Sequence, residues 1–106
     1  MTPALLSDIE IQRELNAMDG WSRRGDAMVK SYEFRTFTEA IAWVNRVAAA
    51  AEAAGHHPDL DIRFRQVNAL LTTHDAGGIT ALDMAVAHAM DLLIGPREPE
   101  GPGLGA

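Results

Sequence analysis

TFTEAIAWVNRVAAAAEAAGHHP, residues 36–58, is the stretch on which the fold turns. Thr36 stands three positions before Glu39, the spacing at which a hydroxyl and a carboxyl cap the first turn of a helix reciprocally. Phe37, Ala40, Ile41, Val44, Val47, Ala48 and Ala51 then recur at helical intervals and predict one apolar stripe. Gly55 is placed to take the left-handed conformation that closes a helix, and Pro58 bars its continuation. The chain here must run as one long amphipathic helix and stop.

Working outward, the downstream segment from Ile62 to Thr73 carries Ile62, Phe64, Val67, Leu70 and Leu71 without a proline, which predicts two strands. The turn between them is poorly marked, and Phe64 reads as a core aromatic of a strand. Asp75-Ala76-Gly77-Gly78 breaks the pattern, and Thr80 with Asp83 caps a last helix whose Leu82, Val86, Met90 and Leu93 face inward until Gly95-Pro96. Upstream, Ser7 and Glu10 repeat the capping spacing before Ile11, Leu15 and Met18, and Asp19-Gly20 stops that first helix. Arg24-Gly25-Asp26 then marks the turn of a β-hairpin with Met28, Tyr32 and Phe34 on one face, interrupted by Lys30. The order helix, strand, strand, helix, strand, strand, helix predicts an α+β fold: a single two-layer domain with a four-stranded antiparallel sheet and three helices on one face. The domain is expected over residues 1–96. Residues 97–106, rich in Gly and Pro, are expected to form a disordered tail without catalytic duty.

Composition narrows the function. A chain of 106 residues, 47% hydrophobic, suits one compact core, and one so small would gain from burying further apolar surface in a homo-oligomer. The formal charge of −6, with Lys and Arg scattered, argues against a direct nucleic-acid surface. Without cysteine there is no disulfide, thiol nucleophile or thiolate zinc site. The N-terminal residues lack a secretory pattern and no stretch approaches the roughly 20 apolar residues of a membrane span, so a cytoplasmic protein is expected.

Chemistry is offered by histidine. His56, His57 and His74 fall at the ends of predicted elements, where sites are built, whereas His88 sits inside the last helix and is set aside. Glu52 lies one turn before the His-His pair, and the negative end of the helix dipole adds to it. The rival reading of His56-His57-Pro58 is a polar helix stop. A three-histidine zinc site is disfavoured, because adjacent residues seldom reach one ion and no histidines stand at i, i+4. A metal-free acid/base site fits better, since imidazole both donates and accepts protons near neutrality.

The set Glu52-x-x-x-His56-His57-Pro58, Phe64, Thr73-His74 and Gly78-Ile79-Thr80-x-x-Asp83 resembles the signature of pterin-4a-carbinolamine dehydratases. The likeness extends through Gly20-Trp21, Tyr32-Glu33-Phe34 and the helix from Phe37 to Ala51. It implies elimination of water from 4a-hydroxytetrahydrobiopterin or a related pterin, the product left by an aromatic amino acid hydroxylase, with no metal or bound cofactor. It implies His56, His57 and His74 as the catalytic histidines, with His57 and His74 carrying most of the proton transfer. Glu52, Pro58, Thr73 and Asp83 would support them or bind substrate, Thr73 at the amide edge of the pterin and Asp83 either in the site or as helix cap. Leu60, where an aromatic often follows the pair, and Gly55, where an acid can precede it, depart from some relatives. The resemblance also implies a homodimer or homotetramer. The competing function is a non-catalytic binding module, since animal members of that family serve as dimerisation cofactors for a homeodomain transcription factor.

Overall fold

The computed structural model describes residues 3–94, so the expected boundary at 96 and the tail 97–106 lie outside the described residues. The elements are α1 (Asp8–Asn16), β1 (Ser22–Arg24), β2 (Ala27–Glu33), α2 (Phe37–Ala54), β3 (Asp59–Arg63), β4 (Gln66–Leu71) and α3 (Ala81–Leu92), with a single 3-10 turn at His74–Ala76. The strands form one antiparallel sheet in the order β1-β2-β4-β3, and the three helices cover one of its faces. The α+β expectation holds, with its element order.

Each helix begins where its cap predicts. Ser7 Oγ accepts from the Glu10 N–H and Glu10 returns a bond to the Ser7 N–H, Thr36 accepts from the Glu39 N–H, and Thr80 and Asp83 cap each other. At the end of α2, Gly55 is left-handed at φ 64°, and the His56 N–H turns back to the Ala51 carbonyl at 3.1 Å. That glycine aims the chain from the helix axis into His56-His57-Pro58 and the edge of the sheet.

The stripe on α2 differs from expectation. The buried residues are Ala40, Trp43, Val47 and Ala51, while Phe37 is 49% exposed and Ala48 exposed. The apolar arc of α2 is wider than its contact with the sheet, and the helix is rotated so that its largest side chain fills the core. Trp43 packs on Tyr32 and Phe34 at ring separations of 4.3 and 5.3 Å, and its indole N–H donates to the Met90 carbonyl of α3 at 3.1 Å. On α3 the buried residues are Asp83, Met84, Val86, Ala87 and Met90, with Leu82 and Leu93 only half-buried.

Two strand expectations need correction. β3 starts at Asp59 and β4 ends at Leu71, so the paired segment lies earlier than Ile62 to Thr73. Phe64 is not core: it turns the β3–β4 hairpin at φ 53°, 69% exposed. A two-residue hairpin turn requires positive φ, and here an aromatic meets that need where glycine or asparagine is usual. Lys30 does lie on the covered face of β2, and its ammonium reaches the Asp91 carboxylate of α3 and the Asp19 carbonyl.

Candidate functional site

The sheet brings the histidine segments to one end of the domain. Asp59 pairs with Leu70, and continuing that antiparallel register sets His56 level with Thr73. Past β4 the chain makes the 3-10 turn His74–Ala76, closed by a bridge between Thr73 and Gly78, and enters α3 at Thr80. The end of α2, the end of β4 and the start of α3 therefore converge.

Asp83 is the meeting point. Its side chain is fully buried; Oδ1 lies 2.6 Å from His56 Nε2, and Oδ2 accepts from the Thr73 hydroxyl and the Thr80 N–H, each at 2.8 Å. Both oxygens of this carboxylate are thus hydrogen-bonded, the condition under which a buried acid is tolerated. Asp83 caps α3 and holds His56 at once, because its two oxygens face different partners. The His56 side chain is 11% exposed, largely enclosed beside it.

His57 has the opposite setting. Its Nε2 lies 2.5 Å from Glu52 Oε2, and both side chains are exposed. The five-residue separation places Glu52 one turn back on α2, below a ring that has left the helix. In both pairs Nε2 faces a carboxylate, so Nδ1 is the nitrogen left for other partners. His74 is exposed in the 3-10 turn, and its imidazole has no hydrogen bond or ion pair with any described residue. Pro58 is half-buried and leads directly into β3.

The structure joins His56, Thr73 and Asp83 in one hydrogen-bonded cluster and His57 with Glu52 in another. Thr73 is buried, with its hydroxyl turned to Asp83 and Thr80. The residue that sequence reasoning left out of the site is Thr80, whose hydroxyl lies 2.8 Å from that of Thr73. Its spacing to Asp83 disclosed the cap; the contact with Thr73 arises only once the loop between them closes. His88 stands apart, 3.7 Å from Glu14 of α1. Among the described residues no group of three or more His, Asp or Glu is arranged to hold a metal ion. No helix among them is long and apolar enough to cross a membrane.

Comparison with known proteins bears on the family and the fold. The family model described as pterin 4 alpha carbinolamine dehydratase matches residues 4–93. A protein of Thermomicrobium roseum named "Putative pterin-4-alpha-carbinolamine dehydratase" is 53% identical over 87 residues, covering 82% of this chain and 94% of that protein. Among solved structures, a transcriptional coactivator/pterin dehydratase from Brucella melitensis superposes with a TM-score of 0.82 at 32% identity, over 85% of this chain and 98% of that one. A pterin dehydratase-like protein described as a RuBisCO assembly factor in the alpha-carboxysome shares the fold, with a TM-score of 0.60 at 22% identity over 73% of this chain and 89% of that one.

Proposed function

Because this chain belongs to the pterin-4-alpha-carbinolamine dehydratase family, we propose that it eliminates water from a 4a-hydroxytetrahydropterin, such as 4a-hydroxytetrahydrobiopterin, by histidine acid/base catalysis. The observation that carries the reading is the chain of bonds from His56 through Asp83 to Thr73, which ties two histidine-bearing segments far apart in sequence to one end of the sheet. The reaction needs two proton transfers. An acid protonates the 4a-hydroxyl, the C4a–O bond breaks and water leaves. A base removes the N5 proton, and the N–H electron pair becomes the C4a–N5 double bond of the quinonoid dihydropterin.

His57 and His74 are the proposed proton-transfer pair, since both are exposed to an incoming heterocycle while His56 is held against Asp83. Glu52 orients His57 through Nε2, and Pro58 directs the chain away from the pair. The reaction asks nothing of a metal or bound cofactor. The setting we propose is cytoplasmic, in the recycling of a pterin used by an aromatic amino acid hydroxylase, and the working form is a homodimer or homotetramer. The exposed apolar side chains Phe37, Ile62 and Phe64 support an assembling surface.

The test is the decay of chemically generated 4a-hydroxytetrahydropterin, followed by ultraviolet absorbance. Wild type accelerates it, and His57→Ala and His74→Ala each lower the rate by about a hundredfold or more while staying folded. A second reading, a binding module or dimerisation cofactor for another protein, rests on the same exposed apolar residues. Absence of acceleration by well-folded wild type selects it.

A further inference from the structure

The contacts around Asp83 have a direction. The Leu82 N–H, a group that can only donate, gives its hydrogen to Thr80 Oγ1 at 3.2 Å. Thr73 has a single hydroxyl hydrogen, and it is committed to Asp83 Oδ2 at 2.8 Å. The 2.8 Å contact between the two hydroxyls must then be made by the hydrogen of Thr80. Hydrogens accordingly run one way, from Leu82 N–H to Thr80, from Thr80 to Thr73 and from Thr73 to Asp83, and the Thr80 N–H adds a second donor to the same oxygen. The direction is set at the Asp83 end, where an ionised carboxylate can only accept, and every link is buried, with Thr73 5% exposed and Thr80 and Asp83 fully buried.

We propose that Thr80 and Thr73 are positioning residues whose one-way hydroxyl chain keeps Asp83 an acceptor and thereby fixes the His56 proton on Nε2, presenting Nδ1 to the reactants. Asp83 Oδ1, as an acceptor, draws a hydrogen from His56 Nε2 at 2.6 Å, its hydrogen-bond partner among the described residues. The start of α3 thus sets the tautomer of a ring that leaves α2, as a buried partner commonly does for a working imidazole. The catalytic consequence rests on the dehydratase reading; the tautomer does not.

Nuclear magnetic resonance of the full chain with nitrogen-15 histidine, in alkaline buffer, tests the tautomer without any substrate. Wild-type His56 is expected to carry its hydrogen on Nε2 alone, and the hydroxyl protons of Thr73 and Thr80 to be protected from exchange. Thr73 makes no capping bond with its side chain, so Thr73→Val removes the link without uncapping a helix. It should turn His56 into a mixture of tautomers, Thr80→Val should do the same, and Thr80→Ser should restore the wild-type spectrum. A wild-type ring with hydrogen on Nδ1, unprotected hydroxyls, or a Thr73→Val ring identical to wild type would overturn the proposal. In the dehydration assay, Thr73→Val is expected to lower kcat by about tenfold with KM unchanged, and the double Val variant to lose no more than either single one. If the tautomer responds as stated but wild type accelerates no dehydration, the proposed function fails while the hydroxyl chain stands.

Discussion

Phe64 holds a backbone conformation that costs an L-residue roughly 1–2 kcal/mol, and its ring returns little because it is mostly exposed, with the Arg65 guanidinium 5.4 Å from its centroid. Phe64→Gly should therefore stabilise the domain by about 0.5–1 kcal/mol after the extra chain entropy of glycine is offset, an increment that urea denaturation measures. A drop in stability would mean that the ring packs on something, a second copy of the chain included. The same residue explains a gap in what the sequence discloses. Hairpin turns are recognised by Gly, Asn or Asp, and none is present between Ile62 and Val67, so the sequence pattern points the aromatic into a core from which the turn removes it. His56 and His57 are legible for the opposite reason: Gly55 and Pro58 mark the end of α2, and polar residues past a helix end stand outside its apolar stripe.

At the scale of elements, Lys30 shows how a tertiary partner reverses a local reading. It interrupts the apolar face of β2 because Asp91 of α3 gathers three donors, Lys30 Nζ at 2.9 Å, the Tyr32 hydroxyl at 2.6 Å and the Trp21 indole N–H at 3.1 Å. Burial, then the bond and charge of Asp91, hold the Tyr32 phenol far above its ordinary value near 10. A phenol harder to ionise in the folded state contributes stability that is complete below the unfolded value and lost as pH rises above it. Tyr32→Phe should cost about 1 kcal/mol near neutrality. Above pH ~10 the gap between the two proteins should close by up to about 1.4 kcal/mol per pH unit. Parallel stability curves through that range would show that the phenol does not titrate differently on unfolding. No periodicity could disclose this cluster, since its members stand up to 70 residues apart and meet only when α3 crosses the sheet.

For the molecule as a whole, the apolar arc of α2 left uncovered, with Ile62 on the edge strand β3, is surface that a second copy would bury. Sedimentation of the 11.5 kDa chain is expected to give a dimer or tetramer, and Ile62→Asp to return it to the protomer mass. A wild type that sediments as a monomer would remove the oligomer from the proposed function. By itself the sequence determined the element order, the three capped helix starts, the glycine exit from α2 and the histidines at element ends, because each depends on residues a few positions apart. Only the tertiary structure decided which side of α2 is buried, that Trp43 fills the core, that Phe64 leaves it, and that Thr73 and Thr80 turn their hydroxyls toward Asp83. Those outcomes depend on how α2, α3 and the sheet meet. Close packing and the need of every buried polar group for a partner then choose among the faces and rotamers that local pattern leaves open.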